Sequence, residues 1–145
     1  MARYSLALRT SGVTSGVATW ELRSAATDRF SVLEIGIFMG AATASTFGLG
    51  RPSAIGVTPT SPVTVLAEDS ASPAGTAQGA VAWGTAPTAP AGPNYLRRIG
   101  LPNSIGAGII WTWSPGQLIV PISGSIVIFN LATNGVADIY AVIDE

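Results

Sequence analysis

Acid–base chemistry in this chain would rest on eight carboxylates, four of which form the adjacent pairs Glu68-Asp69 and Asp144-Glu145. Neighbouring residues on a strand point to opposite faces, and neither pair has the alternating acidic spacing of a calcium-binding loop. We therefore interpret both pairs as solvated residues of a loop or a terminus. The sequence predicts no metal site and no catalytic carboxylate pair.

A further acidic residue stands apart, because Glu34 lies inside the apolar run of residues 30–38. An unpaired carboxylate in such surroundings is costly. We expect an arginine, from the same subunit or a neighbouring one, to pair with it. A catalytic acid is the alternative, but glycosidases usually need a second placed carboxylate, which the sequence does not show.

Two indoles lie on one face of a predicted strand, at Trp111 and Trp113, and form a candidate aromatic platform that Trp83 and Tyr95 would extend. Flat aromatic faces stack on sugar rings or on bases. Packing in the core or at an interface is nevertheless the preferred interpretation, since large aromatic side chains mostly fill such places. A net charge of −1 and a pI near 5.3 leave no broad basic field for phosphates, so nucleic acid is not an expected partner.

The neighbours Arg97 and Arg98 lie on a segment that we expect to be extended, so their guanidinium groups should diverge. Arginine is enriched at protein interfaces. Both are therefore candidate interface residues, with one pairing inside the fold and the other across the interface.

Whole classes of catalytic chemistry are missing from the composition. There is no Cys and no His, and every basic residue is an arginine. These absences exclude thiolate zinc sites, imidazole bases and lysine Schiff bases, and no nucleotide-binding loop or nucleophile elbow is present. We expect neither an enzyme nor a bound cofactor.

The elements that would position these residues are predicted to be strands. Residues 2–9 alternate between two faces, residues 17–23 fit a short strand or one helical turn, and the run 30–38 is apolar on both faces, as in a central strand. Residues 51–93 hold seven of the ten prolines and predict loops with short edge strands at 63–68 and 79–83. Further strands are predicted at 108–113, 117–120, 125–132 and 136–143.

The last two of these strands flank Asn134-Gly135, a strong hairpin signal. A two-residue turn there would pair Phe129 with Tyr140 and Val127 with Val142. It would also place Ile126, Ile128, Ile139 and Ile143 on one face. Because both faces are apolar, we expect one to enter the core and the other to be covered by loops of the same chain or by a neighbouring subunit, with the isoleucines as candidate interface residues.

Many short strands with Gly and Pro turns predict an all-β fold, an antiparallel β-sandwich spanning residues 1–145 as a single domain. A jelly roll is the preferred version and an immunoglobulin-like sandwich the alternative. The longest apolar stretches are interrupted by Gly and are shorter than the roughly 18 residues of a membrane-spanning helix, so no membrane association is expected.

Several segments resemble the head decoration proteins of tailed bacteriophages, also called cement or minor capsid proteins. They are MARYS at the start, EIGIF at 34–38, IIWTW at 109–113 followed by QLIVP at 117–121, and DIYAVIDE at the end. The resemblance implies an all-β virion protein, made in the host cytoplasm, that oligomerises on the outer head surface and clamps neighbouring major capsid protein subunits. It implies no catalytic residues.

A mean hydropathy of +0.45 is high for a chain of 14.7 kDa, which suggests burial of apolar surface between subunits. We expect a homotrimer, which would match the local three-fold points of a capsid. Two other functions remain open: another virion component, such as a tail, baseplate or fibre module, and a carbohydrate-binding jelly roll that uses Trp111 and Trp113.

Overall fold

A computed structural model describes residues 2–12, 16–92, 94–132 and 135–145, and in these ranges the chain is an antiparallel β-sandwich without a helix. The all-β prediction is therefore confirmed. The strands are β1 (Arg3–Arg9), β2 (Ala18–Arg23), β3 (Phe30–Met39), β4 (Ser45–Gly50), β5 (Val57–Pro59), β6 (Val63–Thr64), β7 (Leu66–Ala67), β8 (Gln78–Ala80), β9 (Trp83–Thr85), β10 (Arg97–Leu101), β11 (Gly108–Thr112), β12 (Leu118–Val120), β13 (Ser125–Asn130) and β14 (Ala137–Asp144).

Two six-stranded sheets form the sandwich. Sheet A has the order β11-β3-β14-β1-β7, with β12 also paired to β3, and sheet B has the order β10-β4-β13-β2-β8-β6. Strands β5 and β9 pair with each other in a separate two-stranded ribbon. The chain changes sheet at each step from β1 to β4 and again from β10 to β11 and from β12 to β14. The choice between a jelly roll and an immunoglobulin-like sandwich stays a prediction.

The main core lies between the two sheets and follows the alternation of the strands. In β1, Tyr4 and Leu6 point into it while Arg3 and Arg9 point outward, as predicted for residues 2–9. The ambiguous segment 17–23 forms a strand, which brings Trp20 and Leu22 into the same core.

The outer face of sheet B is covered by the chain itself. Val127 and Phe129 on β13 form a second cluster with Ala18, and Trp83 and Tyr95 from the region after β4 pack against it. All six residues of β13 are buried as a result. The proline-rich region, residues 51–93, thus supplies a third layer over sheet B. Loops of the same chain were one of the two coverings expected for the second apolar face of the last two predicted strands.

The predicted C-terminal hairpin is wrong. Strand β13 pairs with β2 and β4 in sheet B, whereas β14 pairs with β1 and β3 in sheet A. Strands β13 and β14 therefore belong to different sheets, and the expected partners Phe129 and Tyr140 lie in different layers. Asn134 lies outside the described residues.

The four isoleucines are not interface residues. All of them lie in the core between the sheets and are at most 1% exposed. Two belong to β13 and two to β14, so they meet across the sandwich rather than side by side in one sheet, and each is already covered by the opposite sheet. They are Ile126, Ile128, Ile139 and Ile143.

Candidate functional site

The outer face of sheet A differs from that of sheet B because no layer formed by the described residues covers its apolar side chains. Three adjacent strands contribute Ala7, Phe38 and Tyr140 to its centre, and the cross-strand register sets Tyr140 opposite Ala7. Ile110 of β11 and Val142 of β14 continue it on either side. We call Ala7, Phe38, Ile110, Tyr140 and Val142 the aromatic face.

Glycines on neighbouring strands allow the two rings of this face to lie flat. A Cβ atom at Gly36 would be 2.0 Å from Cε1 of Tyr140, and one at Gly108 would be 2.4 Å from Cδ1 of Phe38. The two rings are nearly parallel, with an interplanar angle of 10° and centroids 6.3 Å apart. Each ring therefore covers the backbone of the adjacent strand and presents its other side outward.

Glu34 belongs to this face, and its partner is not the expected arginine. The Tyr140 hydroxyl donates a hydrogen bond to the Glu34 carboxylate. This bond, together with desolvation and the nearby negative charge, raises the pKa of Tyr140 to about 12. A register shift in the pairing of β14 with β3, between Val142 and Ile143, accompanies the outward position of Glu34.

An ion pair borders the aromatic face at one end. Arg9 donates two hydrogen bonds of 2.7 Å to the Asp138 carboxylate, whose pKa is lowered by them. At the other end Arg3 Nε lies 3.5 Å from Asp144 Oδ1. An apolar centre with a charged rim is the usual anatomy of a protein interface.

Two shallow cavities flank the Tyr140 ring. One, of about 250 Å³, is bounded by Phe38, Tyr140, Ala7 and the Arg9–Asp138 pair. The other, of about 300 Å³, lies between Tyr140 and the β6–β7 segment. Ala7 and Tyr140 line both cavities, which are therefore neighbours along β1, and we call the two cavities together the trough.

The tryptophan platform is not supported. Trp111 lies on β11 and Trp113 directly follows that strand, and both side chains are partly buried against the main core. Trp83 and Tyr95 pack over sheet B instead. The four aromatic residues therefore do not form one surface.

Arg97 and Arg98 diverge on the edge strand β10, as expected. The Arg97 guanidinium lies 5.7 Å from the Trp113 ring centroid, and that of Arg98 lies 5.9 Å from the Tyr95 ring centroid. Both residues are exposed, and neither belongs to an ion pair within the described part of the chain. Their role at an interface stays a prediction.

A buried ionic cluster escaped the sequence analysis. The fully buried Glu21 carboxylate accepts hydrogen bonds from Arg23 at 3.0 Å, from the Trp83 indole at 2.7 Å and from the Gly56 amide at 3.2 Å. It joins sheet B to the β5–β9 ribbon. Alternation along β2 places Glu21 and Arg23 on one face, but Trp83 and Gly56 are 62 and 35 residues away from Glu21, so the sequence does not predict the cluster.

The aromatic face was missed for a related reason. Glu34, Gly36 and Phe38 alternate along β3, a pattern that marks one face, but their partner Tyr140 is 106 residues from Glu34. Only the register of β3 with β14 brings them together.

Among the described residues there is no group of three acidic, His or Cys side chains that could hold a metal ion, and no helix long and apolar enough to cross a membrane. No protein-family model, curated protein sequence or solved structure matches the chain.

Proposed function

We propose that this chain is a virion structural protein of the capsid decoration, or cement, type, which contacts the major capsid protein through the aromatic face. One observation carries the proposal: loops of the chain cover the outer face of sheet B, whereas in the described ranges Phe38 and Tyr140 stay half-exposed beside the trough. A partly exposed apolar face with a polar rim fits protein binding.

The rigidity of this face also supports the proposal. The Tyr140 ring is fixed by Gly36 beneath it and by Glu34 at its hydroxyl, so little side-chain entropy is lost when a partner binds. A clamp between capsid subunits needs such a fixed surface and no reactive group.

Sedimentation with phage heads that lack the protein tests this function. Ala7→Arg fills the trough with a long charged side chain, and Ala26→Arg, in the exposed turn between β2 and β3, is the matched control. We expect the wild type and the control to sediment with the heads, and Ala7→Arg to bind at least tenfold more weakly. Equal binding of all three would reject the aromatic face, and no binding by the wild type would reject the capsid role.

A saccharide ligand is the second candidate, since the two parallel rings of Phe38 and Tyr140 lie in an open trough beside the Arg9–Asp138 pair. Sugar rings stack on such surfaces, and charged side chains bond their hydroxyl groups. Saturation-transfer NMR with a panel of glycans distinguishes it, because the ring protons of a stacked sugar would receive saturation from Tyr140 and Phe38, and the double variant Phe38→Ala, Tyr140→Ala would lose the effect. Density for the protein on the tail or baseplate would instead indicate another virion module.

A further inference from the structure

One edge of the sandwich carries three unpaired cations. Arg97 and Arg98 lie on β10, the edge strand of sheet B, and Arg51 follows β4 and donates a 2.7 Å hydrogen bond to the backbone oxygen of Ile119 on β12. Leu96 and Ile119 are exposed beside them. No carboxylate in the described ranges forms an ion pair with any of the three arginines. We call these five residues the cationic edge.

The other edge carries acidic residues. Glu68 and Asp69 follow β7, the edge strand of sheet A. The Glu68 carboxylate accepts a hydrogen bond from the Ser5 hydroxyl, and the Asp69 carboxylate accepts one from the Ala71 amide, so both donors are uncharged. Val63 and Leu66 are exposed beside them, with Leu66 reaching 74% exposure. We call Val63, Leu66, Glu68 and Asp69 the anionic edge.

The topology places these two edges on opposite sides of the molecule. Strands β6 and β7 are separated only by Val65, so they lie at the same side of the two sheets. Strands β10, β11 and β12 lie at the other side, where the Arg97 guanidinium reaches Trp113 and Arg51 reaches Ile119.

We propose that the chain binds a second copy of itself head to tail, with the cationic edge of one copy against the anionic edge of the next. Two identical edges would bring like charges together, which disfavours a symmetric edge-to-edge dimer. Opposite edges instead join exposed apolar residues at the centre with complementary charges around them. A head-to-tail contact closes into a ring when the rotation permits, as in a trimer.

This inference goes beyond the capsid role and does not depend on it. A polyanion such as nucleic acid would use the cationic edge alone, and three arginines provide few phosphate contacts. A second copy of the chain would contact both edges, so the observations favour a second copy over a polyanion. Purified protein without any phage head is sufficient for the test.

Charge reversal at the edges tests the contact by light scattering at micromolar concentration and low salt. Glu68→Arg with Asp69→Arg makes both edges cationic, and Arg51→Glu with Arg98→Glu makes both anionic. We expect each double variant to lose association at least tenfold, and the chain that carries all four changes to recover it. Asp28→Arg, in the turn between β2 and β3, is the control and should associate like the wild type.

Three results would overturn the proposal. They are a monomeric wild type, double variants that associate like the wild type, and a quadruple variant that is folded but remains monomeric. Circular dichroism and thermal melting establish that each variant is folded. A single chain has a mass of 14.7 kDa, so a trimer is readily distinguished from a monomer.

Cross-linking provides a second test that does not depend on charge changes, because the chain has no cysteine of its own. With a short bismaleimide, the double variant Leu66→Cys, Ile119→Cys should form covalent dimers and trimers. Neither single variant should do so, since each edge meets the opposite one. Efficient dimers from Leu66→Cys alone, or no product from the double variant, would contradict head-to-tail association.

Discussion

At the scale of single residues, the aromatic face depends on glycines as much as on aromatic side chains. Tyr140 lies flat because its cross-strand neighbour is Gly36, and Phe38 lies flat because its neighbour is Gly108. A strand glycine is usually destabilising, but here the ring fills the space that a side chain would occupy. The pairing explains how β3 remains a strand of ten residues with a glycine at its centre.

Gly36→Ala should therefore destabilise the fold. Its Cβ would lie 2.0 Å from Tyr140 Cε1, so the ring must tilt away and lose its hydrogen bond to Glu34. We expect the free energy of unfolding in urea to fall by about 1–3 kcal/mol, as for other overpacked sites. The matched control is Gly100→Ala on β10, where a Cβ meets no atom closer than 4.0 Å. If the two variants were equally stable, the ring would not be held over Gly36.

The Tyr140–Glu34 bond also predicts a pH dependence. The pKa of Tyr140 is raised from 10.0 to about 12 in the folded protein, so the bond stabilises the fold fully below pH 10 and this contribution is lost as the pH rises towards 12. Phenolate absorbance, taken as the difference between the wild type and Tyr140→Phe, should show this late titration. In Glu34→Gln the same difference should move towards pH 10. An unchanged titration in Glu34→Gln would assign the shift to another cause.

At the scale of elements, the sequence located the strands well but not all of their partners. Alternation in residues 2–9 identified both the strand and its buried face, because that signal is local. The hairpin predicted from Asn134-Gly135 is wrong because a turn signal predicts a change of chain direction but not the strand with which the next segment pairs. Residues 126–129 and 139–143 were correctly seen as apolar on two faces, but only the sheet order shows what covers them.

The covering of sheet B depends on Glu21, which fastens the β5–β9 ribbon to β2. Removing one partner of a buried ion pair leaves the other charge uncompensated. Glu21→Ala leaves the Arg23 guanidinium without its carboxylate partner and removes the hydrogen bond to the Trp83 indole. We therefore expect the free energy of unfolding to fall by about 3–5 kcal/mol. Denaturant unfolding followed by Trp fluorescence measures it.

The matched control for Glu21→Ala is Asp138→Ala, which breaks an ion pair of the same type on the surface, where the two side chains are 66% and 50% exposed. Solvent and salt screen such a pair, so its loss should change stability little. Comparable effects of the two variants would mean that the Glu21 cluster does not fasten the ribbon.

At the scale of the whole molecule, the two outer faces explain the high mean hydropathy of +0.45. Part of the apolar excess lies within the chain, under the loops that cover Val127 and Phe129, and part remains on the aromatic face and the two edges. The composition predicted that apolar surface would need covering. The composition did not predict which part of that surface is covered by the chain itself and which part is left for a partner, because this depends on where the proline-rich region packs.

This asymmetry predicts a gradient of local stability. Strand β13 is central in sheet B and buried on both faces, so its amides should exchange only on global unfolding. The short edge strands β6 and β7 expose most of their residues and should exchange through local openings, orders of magnitude faster. Hydrogen exchange with mass spectrometry measures both in one experiment. If copies join head to tail, a rise in protein concentration should slow exchange in β7 and β10 and leave the β5–β9 ribbon unchanged, whereas equal slowing of all three would indicate non-specific association.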